Sequence, residues 1–583
     1  MTNPRLSSLR EMLSTLAIPG FVIPRADEHL GEYVPPGAER LAWLTGFTGS
    51  AGLAIVLAAE AAVFTDGRYT LQLAKETDAS QFELLHVVND EPPDWARQRV
   101  SRLGYDPWLM SRDGVIRYTE AGVEMVPLSP NPLDGVWLDR PVPPTAQVTR
   151  QDLEFAGQSS AEKRETVAAA LRKAGQDACV LTDPPSVNWL LNIRGRDLEF
   201  VPVALGFAIL HADATVDLFM SQDKLGPDIA SWLGADVRCH PPEAFAPALA
   251  GFAGRSVRVD PAGSPVAVSQ TLQAGGASVV DGPNPCLLPK ACKNAIEQAG
   301  MCAAHARDAV ALCRFLQWLQ TAHGETERSA AARLLALRQE APEFCGESFP
   351  AISGAGEHGA VIHYRVTPES DRSIGPNELY LCDSGGQYRD GTTDVTRTVW
   401  TGPGAPPAEV RARFTAVLRG HIALAMTVFP HGVAGLHLDA IARRALWMDG
   451  LDYDHGTGHG VGSYLSVHEG PVSLSRAATT VPLEAGMILS NEPGFYLPGQ
   501  YGIRLENLLL VQAADRPAAT KPYLRFETLT LAPFDRRLID PALLQPEERE
   551  WLDAYHARVL ATLEDGHSAP FADWLRAECA PLG

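Results

Sequence analysis

Two β-prone segments within residues 378–400 each carry an aspartate where a hydrophobic core gains nothing from an acid. Asp383 closes the apolar run ELYLC, and Asp394 lies in the Thr- and Val-rich segment of residues 392–400. A buried carboxylate without a partner destabilises the fold by several kcal/mol or stays protonated. Either aspartate alone fits a solvated strand end, so the pair has to be weighed together with the other acids of the chain.

Composition restricts the class of protein. A chain of 583 residues predicts about three to four domain-sized units. The nine cysteines are scattered and form no C-x-x-C pair, which indicates a reducing compartment and neither a disulfide framework nor a thiolate zinc site. The net charge of −21 argues against nucleic acid or an anionic membrane as a partner. Without a secretory leader or a long apolar run, we expect a cytoplasmic protein.

The order of patterns along the chain predicts a duplicated α/β unit ahead of a larger domain. A helix over residues 5–15 is followed by FVIPRADEHL and ERLAWLTGFTGS, and a second helix, with Ser160 as its expected N-cap, is followed by CVLTDPPS and VNWLLNIRGRD. A Pro-rich linker and a long helix over residues 293–320 then open the third unit. We therefore expect α/β domains at 1–155 and 156–286, a third and largest domain at 287–520 and an extension at 521–583, with an amphipathic helix over 546–563.

Glycine at every second place in HGTGHGVG, residues 455–462, predicts a strand with one bare face and with His455 and His459 on the other. Two histidines four residues apart also occur in the H-E-x-x-H zinc helix, but Gly456 replaces the glutamate and four glycines oppose a helix. His468 and His363 lie beside further apolar, strand-like runs.

Two more acids lie in apolar segments further along the chain. Glu492 closes an apolar strand, and Glu506 lies inside the predicted strand GIRLENLLLV, where Arg504 shares its face. Four carboxylates in hydrophobic surroundings need compensation, and two divalent cations would balance them. Oxygen-rich ligation with one imidazole favours a harder metal such as manganese, and paired metals are an established device for activating water.

The spacing of the two aspartates gives a geometric expectation. A two-residue turn at Asp390-Gly391 would place Asp394 opposite Gln387, roughly 13 Å along the strand from Asp383. Such a separation is too long for a shared metal site. We therefore expect a wider connection or a bulge at Gly385-Gly386 that brings the two aspartates nearly opposite each other.

The segments DSGGQYRDGTTDVTRT, HGTGHGVGSYLSVHEGP, NEPGFY and GIRLEN together resemble the pita-bread metallopeptidases, and among them the three-domain cytosolic type of aminopeptidase P (Xaa-Pro aminopeptidase). The resemblance extends to EYVPPGAERLAWLTGFTGSAG, NWLLNIRGRD and the C-terminal residues. It implies a mixed α/β and α+β chain, in which two creatinase-N-like α/β domains precede a pita-bread catalytic domain with a short C-terminal extension.

The resemblance also implies roles for single residues. Five positions match the family's metal ligands, of which Asp394 and Glu506 would bridge the two ions: Asp383, Asp394, His459, Glu492 and Glu506. Three more match its other active-site histidines: His363, His455 and His468. Glu492 would shuttle the proton, His468 and His363 would hold the substrate carbonyl and the oxyanion, and His455 would shape the proline pocket. Tyr496 and Arg504 match substrate-binding residues.

The implied activity is removal of the N-terminal residue from peptides with proline at the second position, by attack of a metal-bridging hydroxide. Two divalent ions per subunit are implied, with manganese expected and zinc or cobalt as alternatives, in a homodimer. A prolidase, which cleaves Xaa-Pro dipeptides with the same ligands, is the nearest alternative. A non-catalytic pita-bread binding protein would have lost ligands, and none is lost here.

Methionine aminopeptidase and creatinase fit less well, because the first needs no long N-terminal half and the second lacks these metal ligands.

Overall fold

The computed structural model describes residues 3–477 and 479–582. The chain forms two compact units. One runs to Asp152 and resumes over Gln158–Leu287, and the other comprises Leu153–Gly157 and Leu288–Gly583. Among the described residues, no helix has both the length and the apolar character required to cross a membrane.

The first unit begins with a six-stranded sheet in the order β4-β3-β2-β1-β5-β6. Its strands are β1 (Gly20–Pro24), β2 (Leu53–Leu57), β3 (Ala61–Thr65), β4 (Glu83–His86), β5 (Arg102–Tyr105) and β6 (Glu124–Pro127). Its helices are α1 (Pro4–Thr15), α2 (Arg40–Thr45), α3 (Thr70–Glu76), α4 (Pro92–Arg97) and α5 (Arg112–Glu120). Leu6, Leu9 and Leu13 of α1 are buried, as their spacing predicts.

A second sheet in the same unit repeats this arrangement. Its strands are β8 (Ala178–Leu181), β10 (Phe207–His211), β11 (Val216–Phe219), β12 (Val237–His240), β13 (Ser256–Val259) and β14 (Ser278–Asp281), and β7 (Thr149–Arg150) pairs with β9 (Ile193–Arg194) in a separate two-stranded sheet. The short helix α6 (Leu153–Ala156), which follows β7 in the sequence, belongs to the other unit. The helices are α7 (Ser160–Lys173), α8 (Pro184–Leu191), α9 (Pro227–Leu233), α10 (Phe245–Ala250) and α11 (Val266–Ala274).

The two sheets have the same topology. The second has the order β12-β11-β10-β8-β13-β14. The central pairs β1–β2 and β8–β10 are both antiparallel, and the outer pairs β5–β6 and β13–β14 are both parallel. The duplication predicted from the two similar starts is therefore confirmed.

The cap of α7 differs from the expectation by one residue, because Ser159, not Ser160, precedes the helix. Ser159 Oγ accepts a hydrogen bond from the Glu162 N–H at 3.2 Å, and the Glu162 carboxylate accepts one from the Ser159 N–H at 2.8 Å. This reciprocal capping box requires a glutamate three residues after the cap, and only Ser159 has one.

The second unit contains the remaining elements. Its helices are α12 (Leu287–Ala291), α13 (Ala295–Thr321), α14 (Glu327–Gln339), α15 (Ala408–Ala425), α16 (Asp439–Trp447), α17 (Pro546–Leu563) and α18 (Ala569–Glu578). Its strands are β15 (Phe344–Glu347), β16 (Ile352–Ala355), β17 (Leu379–Ser384), β18 (Gly386–Tyr388), β19 (Gly391–Thr392), β20 (Val395–Trp400), β21 (Val428–Pro430), β22 (Gly458–Gly460), β23 (Glu469–Leu474), β24 (Ile488–Asn491), β25 (Gly494–Leu497), β26 (Tyr501–Arg504), β27 (Asn507–Ala514) and β28 (Tyr523–Thr528).

Short 3₁₀ turns complete the two units, at Pro36–Ala38, Gln222–Lys224, Pro242–Ala244, Gly356–Ala360, Gly435–His437, Arg536–Leu538 and Pro541–Leu543.

These strands form a pair of three-stranded sheets, β15-β18-β19 and β16-β17-β20, a six-stranded sheet, β21-β28-β27-β24-β22-β23, and the hairpin β25-β26. One hydrophobic core joins α13, α15 and β17 to α17, for example through Phe315, Phe414, Tyr380 and Tyr555. Burying such a side chain contributes about 1.5–3 kcal/mol relative to leaving it exposed. The amphipathic helix predicted over residues 546–563 is therefore part of this core.

The connection between the two aspartate strands differs from the expectation. The turn lies at Arg389-Asp390, with Tyr388 paired to Gly391, and the bulge expected at Gly385-Gly386 is absent. The register is the same on both sides of Gly385, so that Asp383 pairs with Thr396. The ladder is interrupted at Gly385, where the hairpin passes from one sheet to the other. A Cβ there would lie 2.0 Å from the Thr393 oxygen.

Candidate metal centre and active site

Strand ends bring the predicted acids to one place in the second unit. Asp383 lies near the end of β17, Asp394 comes just before β20, and Glu492 follows β24. Glu506 was expected inside one continuous strand, but it lies in the break between β26 and β27. There its N–H donates to the Thr396 oxygen at 3.1 Å, and the Thr396 hydroxyl donates to its carboxylate at 2.8 Å.

Three of the predicted ligands converge closely enough to bind one ion. Asp394, His459 and Glu506 each offer a ligand atom, and these atoms all lie within 4.8 Å of one another. Glu492 joins them through its Oε1, which is 3.4 Å from His459 Nε2. Asp394 and Glu506 are nearly inaccessible, with relative exposures of 4% and 1%. The acids therefore face each other inside the protein and not bulk water.

The ring of His459 has the orientation of a metal ligand. Its Nδ1 lies 3.0 Å from the Gly460 oxygen, so the tautomer that donates there leaves the Nε2 lone pair directed at Asp394 and Glu492. Metal-binding histidines typically donate their second ring N–H in this way. The strand β22 that holds the ring also needs glycine, since a Cβ on Gly458 would lie 1.9 Å from the Ser490 oxygen.

Burial and mutual repulsion of the acids shift the pKa values in the cluster. Burial raises the pKa of Asp383 to about 6, with Arg504 lowering it and Asp394 and Glu492 raising it. Burial, together with Asp394 and the other acids, places the pKa of Glu506 well above its usual value. Burial alone would lower the pKa of His459, but the Asp394 and Glu492 carboxylates raise it to about 9. Divalent ions would remove this mutual repulsion.

The donor set therefore fits hard divalent cations. It consists of carboxylate oxygens and one imidazole, without a thiolate. The buried Oδ1 of Asp383 has no hydrogen-bond partner among the described residues, although its Oδ2 accepts a bond from Arg504. A buried acceptor left without a partner is costly unless another group, such as a metal ion, uses it.

A hydrogen-bonded chain connects the acids to the predicted proline pocket. Arg504 donates from Nη2 to Asp383 Oδ2 at 2.6 Å and from Nη1 to the Tyr496 hydroxyl at 2.7 Å. The same hydroxyl lies 2.9 Å from His455 Nε2. Three residues predicted to contact substrate are thus in direct contact with each other and with one predicted ligand.

The two remaining histidines occupy turns and not strands. The His468 ring packs against that of His459, with ring centroids 4.3 Å apart, just before β23. His363 lies in the turn after Gly356–Ala360 and is half-buried. The preceding 3₁₀ turn, Gly356–Ala360, packs closely on β26. A Cβ on Gly502 of β26 would lie only 1.8 Å from the Gly359 oxygen.

Sequence reasoning missed several buried charges beside the site. Lys290 and Lys293 donate to the two oxygens of Glu469, at 2.7 and 2.6 Å, directly after His468. Arg397 of β20 donates to the backbone oxygens of Glu506, at 2.7 Å, and of Thr396. For the ion pairs of Glu469, the acid in the segment VHEGP was the available signal. The two lysines that pair with Glu469, and the Glu506 oxygen that Arg397 contacts, lie more than a hundred residues away in sequence, so the local sequence pattern does not reveal them.

Models of known domain families match four successive parts of the chain. The domain family described as metallopeptidase family M24 matches residues 299–513, and the C-terminal region of peptidase M24 matches residues 522–582. The creatinase/prolidase N-terminal domain matches twice, over residues 5–135 and 139–297.

Two relatives match this chain over its whole length. The chain is 39% identical to the probable Xaa-Pro aminopeptidase P of Laccaria bicolor, over 100% of this chain and 94% of that one. It is 38% identical to that of Neosartorya fischeri, over 100% and 93%.

Among solved structures, X-prolyl aminopeptidase from Caenorhabditis elegans, described as a cytosolic enzyme with a di-nuclear active site, matches with a TM-score of 0.94 and 33% identity over 100% of both chains. Dipeptidase PepE from Mycobacterium ulcerans matches with a TM-score of 0.52 and 26% identity, over 66% of this chain and 98% of that one.

The chain therefore belongs to metallopeptidase family M24, in the form with two creatinase-type N-terminal domains and a C-terminal region. The family members cited above that match it from end to end are named Xaa-Pro aminopeptidase P or X-prolyl aminopeptidase.

Proposed function

We propose that this chain is a metal-dependent aminopeptidase that releases the N-terminal residue from peptides with proline at the second position. The observation that carries the proposal is the convergence of Asp394, His459 and Glu506, whose ligand atoms lie within 4.8 Å of one another in a buried site. The names of the full-length relatives supply the proline preference.

We assign two divalent ions to five ligands: Asp383, Asp394, His459, Glu492 and Glu506. When bound, the ions would lower the pKa of water and polarise the scissile carbonyl. A di-nuclear site in the related Caenorhabditis elegans enzyme supports the number of ions. The oxygen-rich donor set supports manganese.

The protein's own groups then move the proton and orient the peptide. Glu492 accepts a hydrogen bond from the Ser490 hydroxyl at 3.1 Å, which fixes its carboxylate beside His459, and we assign it the proton taken from the attacking water. We assign His468 and His363 to the substrate carbonyl and the oxyanion, where losing one donor costs about 2.7–4 kcal/mol. His455, Tyr496 and Arg504 form the wall of the proline pocket in this assignment.

We further propose a cytoplasmic homodimer. The related Caenorhabditis elegans enzyme is described as cytosolic, which supports the location. The nine cysteines are scattered along the sequence without a C-x-x-C pair, which suits a reducing compartment. Size-exclusion chromatography with light scattering tests the oligomeric state.

The test of the main proposal combines metal analysis with a cleavage assay. Purified protein is loaded with manganese, and hydrolysis of an Xaa-Pro-Yaa peptide is compared with that of Xaa-Ala-Yaa. We expect about two metals per chain and cleavage of the proline peptide only. His459→Ala should lose metal and activity together, and full turnover by a well-chelated His459→Ala sample would exclude the proposed centre.

An Xaa-Pro dipeptide separates the proposal from the prolidase alternative. Preference for the dipeptide over the tripeptide would make the chain a dipeptidase. The 66% coverage of this chain by dipeptidase PepE, against 100% by the Caenorhabditis elegans aminopeptidase, favours the longer substrate.

A further inference from the structure

Glu327, the first residue of α14, is a buried acid to which no role in the proposed reaction has been given. Its side chain has 0% relative exposure. One carboxylate oxygen accepts hydrogen bonds from the Ala355 N–H at 2.7 Å and from His358 Nδ1 at 2.9 Å. The other accepts a bond from the Tyr364 hydroxyl at 2.9 Å. A carboxylate kept in such surroundings must be compensated by its hydrogen bonds.

The three donors lie on both sides of His363 in the sequence. Ala355 and His358 precede it, and Tyr364 follows it directly. The rings of His358 and Tyr364 also pack on each other, with centroids 4.5 Å apart. Residues 356–364, which we call the His363 segment, are thus tied at both ends to a single carboxylate.

The other side of the His363 segment packs on the substrate-binding hairpin. Gly359 approaches Gly502 so closely that a Cβ on Gly502 would lie 1.8 Å from the Gly359 oxygen. Gly502 pairs with Tyr496 in the β25-β26 hairpin, and β26 ends at Arg504. The segment is therefore held between Glu327 and the strands that present Tyr496 and Arg504.

We propose that Glu327 is a positioning residue, whose carboxylate fixes the His363 segment against β26 and so sets His363 relative to Tyr496 and Arg504. The inference rests on the proposed peptidase function for its effect on turnover. Its effect on the segment itself can be measured without any assay of activity.

The first variant is Glu327→Gln, which keeps the shape of the side chain. The amide NH2 cannot face the Ala355 N–H, so it has to lie beside Tyr364, whose hydroxyl must then accept a bond instead of donating one. The remaining bonds also lose the assistance of the negative charge. We expect the amides of residues 356–364 to exchange about tenfold faster with deuterium, and kcat/KM to fall about 10- to 100-fold at unchanged metal content. Glu325→Gln, two residues earlier on the same connection, is the matched control and should change neither quantity.

A double-mutant cycle separates positioning from general destabilisation. If Glu327 acts through His363, Glu327→Gln should lower kcat/KM by less than about threefold in a His363→Ala background. A full 10- to 100-fold further loss there, or unchanged hydrogen exchange in the single variant, overturns the proposal.

If Glu327→Gln fails to fold, two variants of its donor His358 test the same proposal. His358→Asn keeps an N–H near the position of Nδ1, whereas His358→Leu removes it. We expect Asn to retain most of the activity and the slow exchange, and Leu to lose both. Equal behaviour of the two variants contradicts the role of Glu327. If the wild-type protein has no peptidase activity and His358→Leu still exchanges faster than the wild type, the positioning by Glu327 is supported and the proposed function is rejected.

Discussion

Arg504 holds Asp383 through a hydrogen bond of 2.6 Å from Nη2, and both side chains are buried. The same guanidinium donates at 2.7 Å to the Tyr496 hydroxyl, which contacts His455. One cation therefore connects a proposed metal ligand to the proposed proline pocket. The planar fork of arginine makes both contacts at once, which a lysine ammonium on a flexible stem cannot reproduce.

Arg504→Lys should keep the positive charge and lose the connection to Tyr496. We expect kcat/KM for an Xaa-Pro-Yaa peptide to fall about 100-fold, with KM raised and the metal content unchanged. Tyr496→Phe removes the same connection from the other side and should show the same change in KM. Wild-type kinetics in Arg504→Lys would show that the simultaneous contact of Arg504 with Asp383 and Tyr496 has no part in the reaction.

Removal of the metal should destabilise the second unit, because it leaves the buried carboxylates to repel one another. We expect added manganese to raise the Tm of the chelated protein by about 5 °C at a hundredfold excess over its Kd, which corresponds to about 2.7 kcal/mol. Differential scanning calorimetry measures the shift. After the metal is removed with a chelator, the Tm of His459→Ala should rise far less on addition of manganese. An equal rise in Tm would show that the ions bind elsewhere.

Glu469 forms ion pairs with two buried lysines, so its charge should contribute strongly to stability. Glu469→Gln leaves the ammoniums of Lys290 and Lys293 sharing one neutral amide, and we expect the free energy of unfolding to fall by about 3–5 kcal/mol. Glu409→Gln, in an exposed pair with Arg413, is the control and should leave the urea midpoint unchanged. Equal midpoints for the two variants would contradict the importance of the buried triad.

The buried histidines of the second unit predict a loss of stability in acid. Burial, with Arg397 and Arg536 nearby, lowers the pKa of His556 to about 3. In the unfolded chain a histidine titrates near 6.5, so below that pH the unfolded state takes up a proton that the folded state does not. The stability due to this group is complete above about pH 6.5 and decreases by about 1.4 kcal/mol per pH unit down to about pH 3.

Urea unfolding of His556→Gln at pH 6 and pH 5 tests this titration. Glutamine does not titrate, and its Oε1 can accept the bond that the Phe534 N–H donates to His556 Nε2. The variant should lose about 1.4 kcal/mol less than the wild type over this interval. The exposed His567, changed to Gln, should retain the wild-type slope. Parallel behaviour of His556→Gln and the wild type would be inconsistent with a buried neutral imidazole.

Local pattern was sufficient to predict the positions of the acids and the duplicated sheets. An acid in an apolar strand is visible in the sequence, as at Asp383 and Glu492, and two similar helix–strand starts reveal the repeat. The position of Glu506 was less well predicted, because the break between β26 and β27 follows from packing of its backbone on Thr396 and not from its own residue type.

Long-range partners of buried acids could not be predicted in the same way. Glu469 meets Lys290 across 179 residues, and Glu327 meets Tyr364 across 37. Each side chain is ordinary in its local segment, and only the tertiary fold brings the partners together. The turn at Arg389-Asp390 shows the same dependence, because a shift of one residue in the turn changes which residue faces Asp394.

Arg397 joins the C-terminal segment to the proposed metal centre. Its guanidinium is surrounded by the backbone oxygens of Ala532 and Pro533 and the hydroxyl of Tyr555, and it also donates to the backbone oxygen of Glu506. Trimming the C-terminal segment would remove most of these acceptors and leave a buried positive charge without partners behind the backbone of Glu506. The C-terminal segment thus supports the connection that carries Glu506, and a shortened version of this peptidase would need other residues to supply these acceptors.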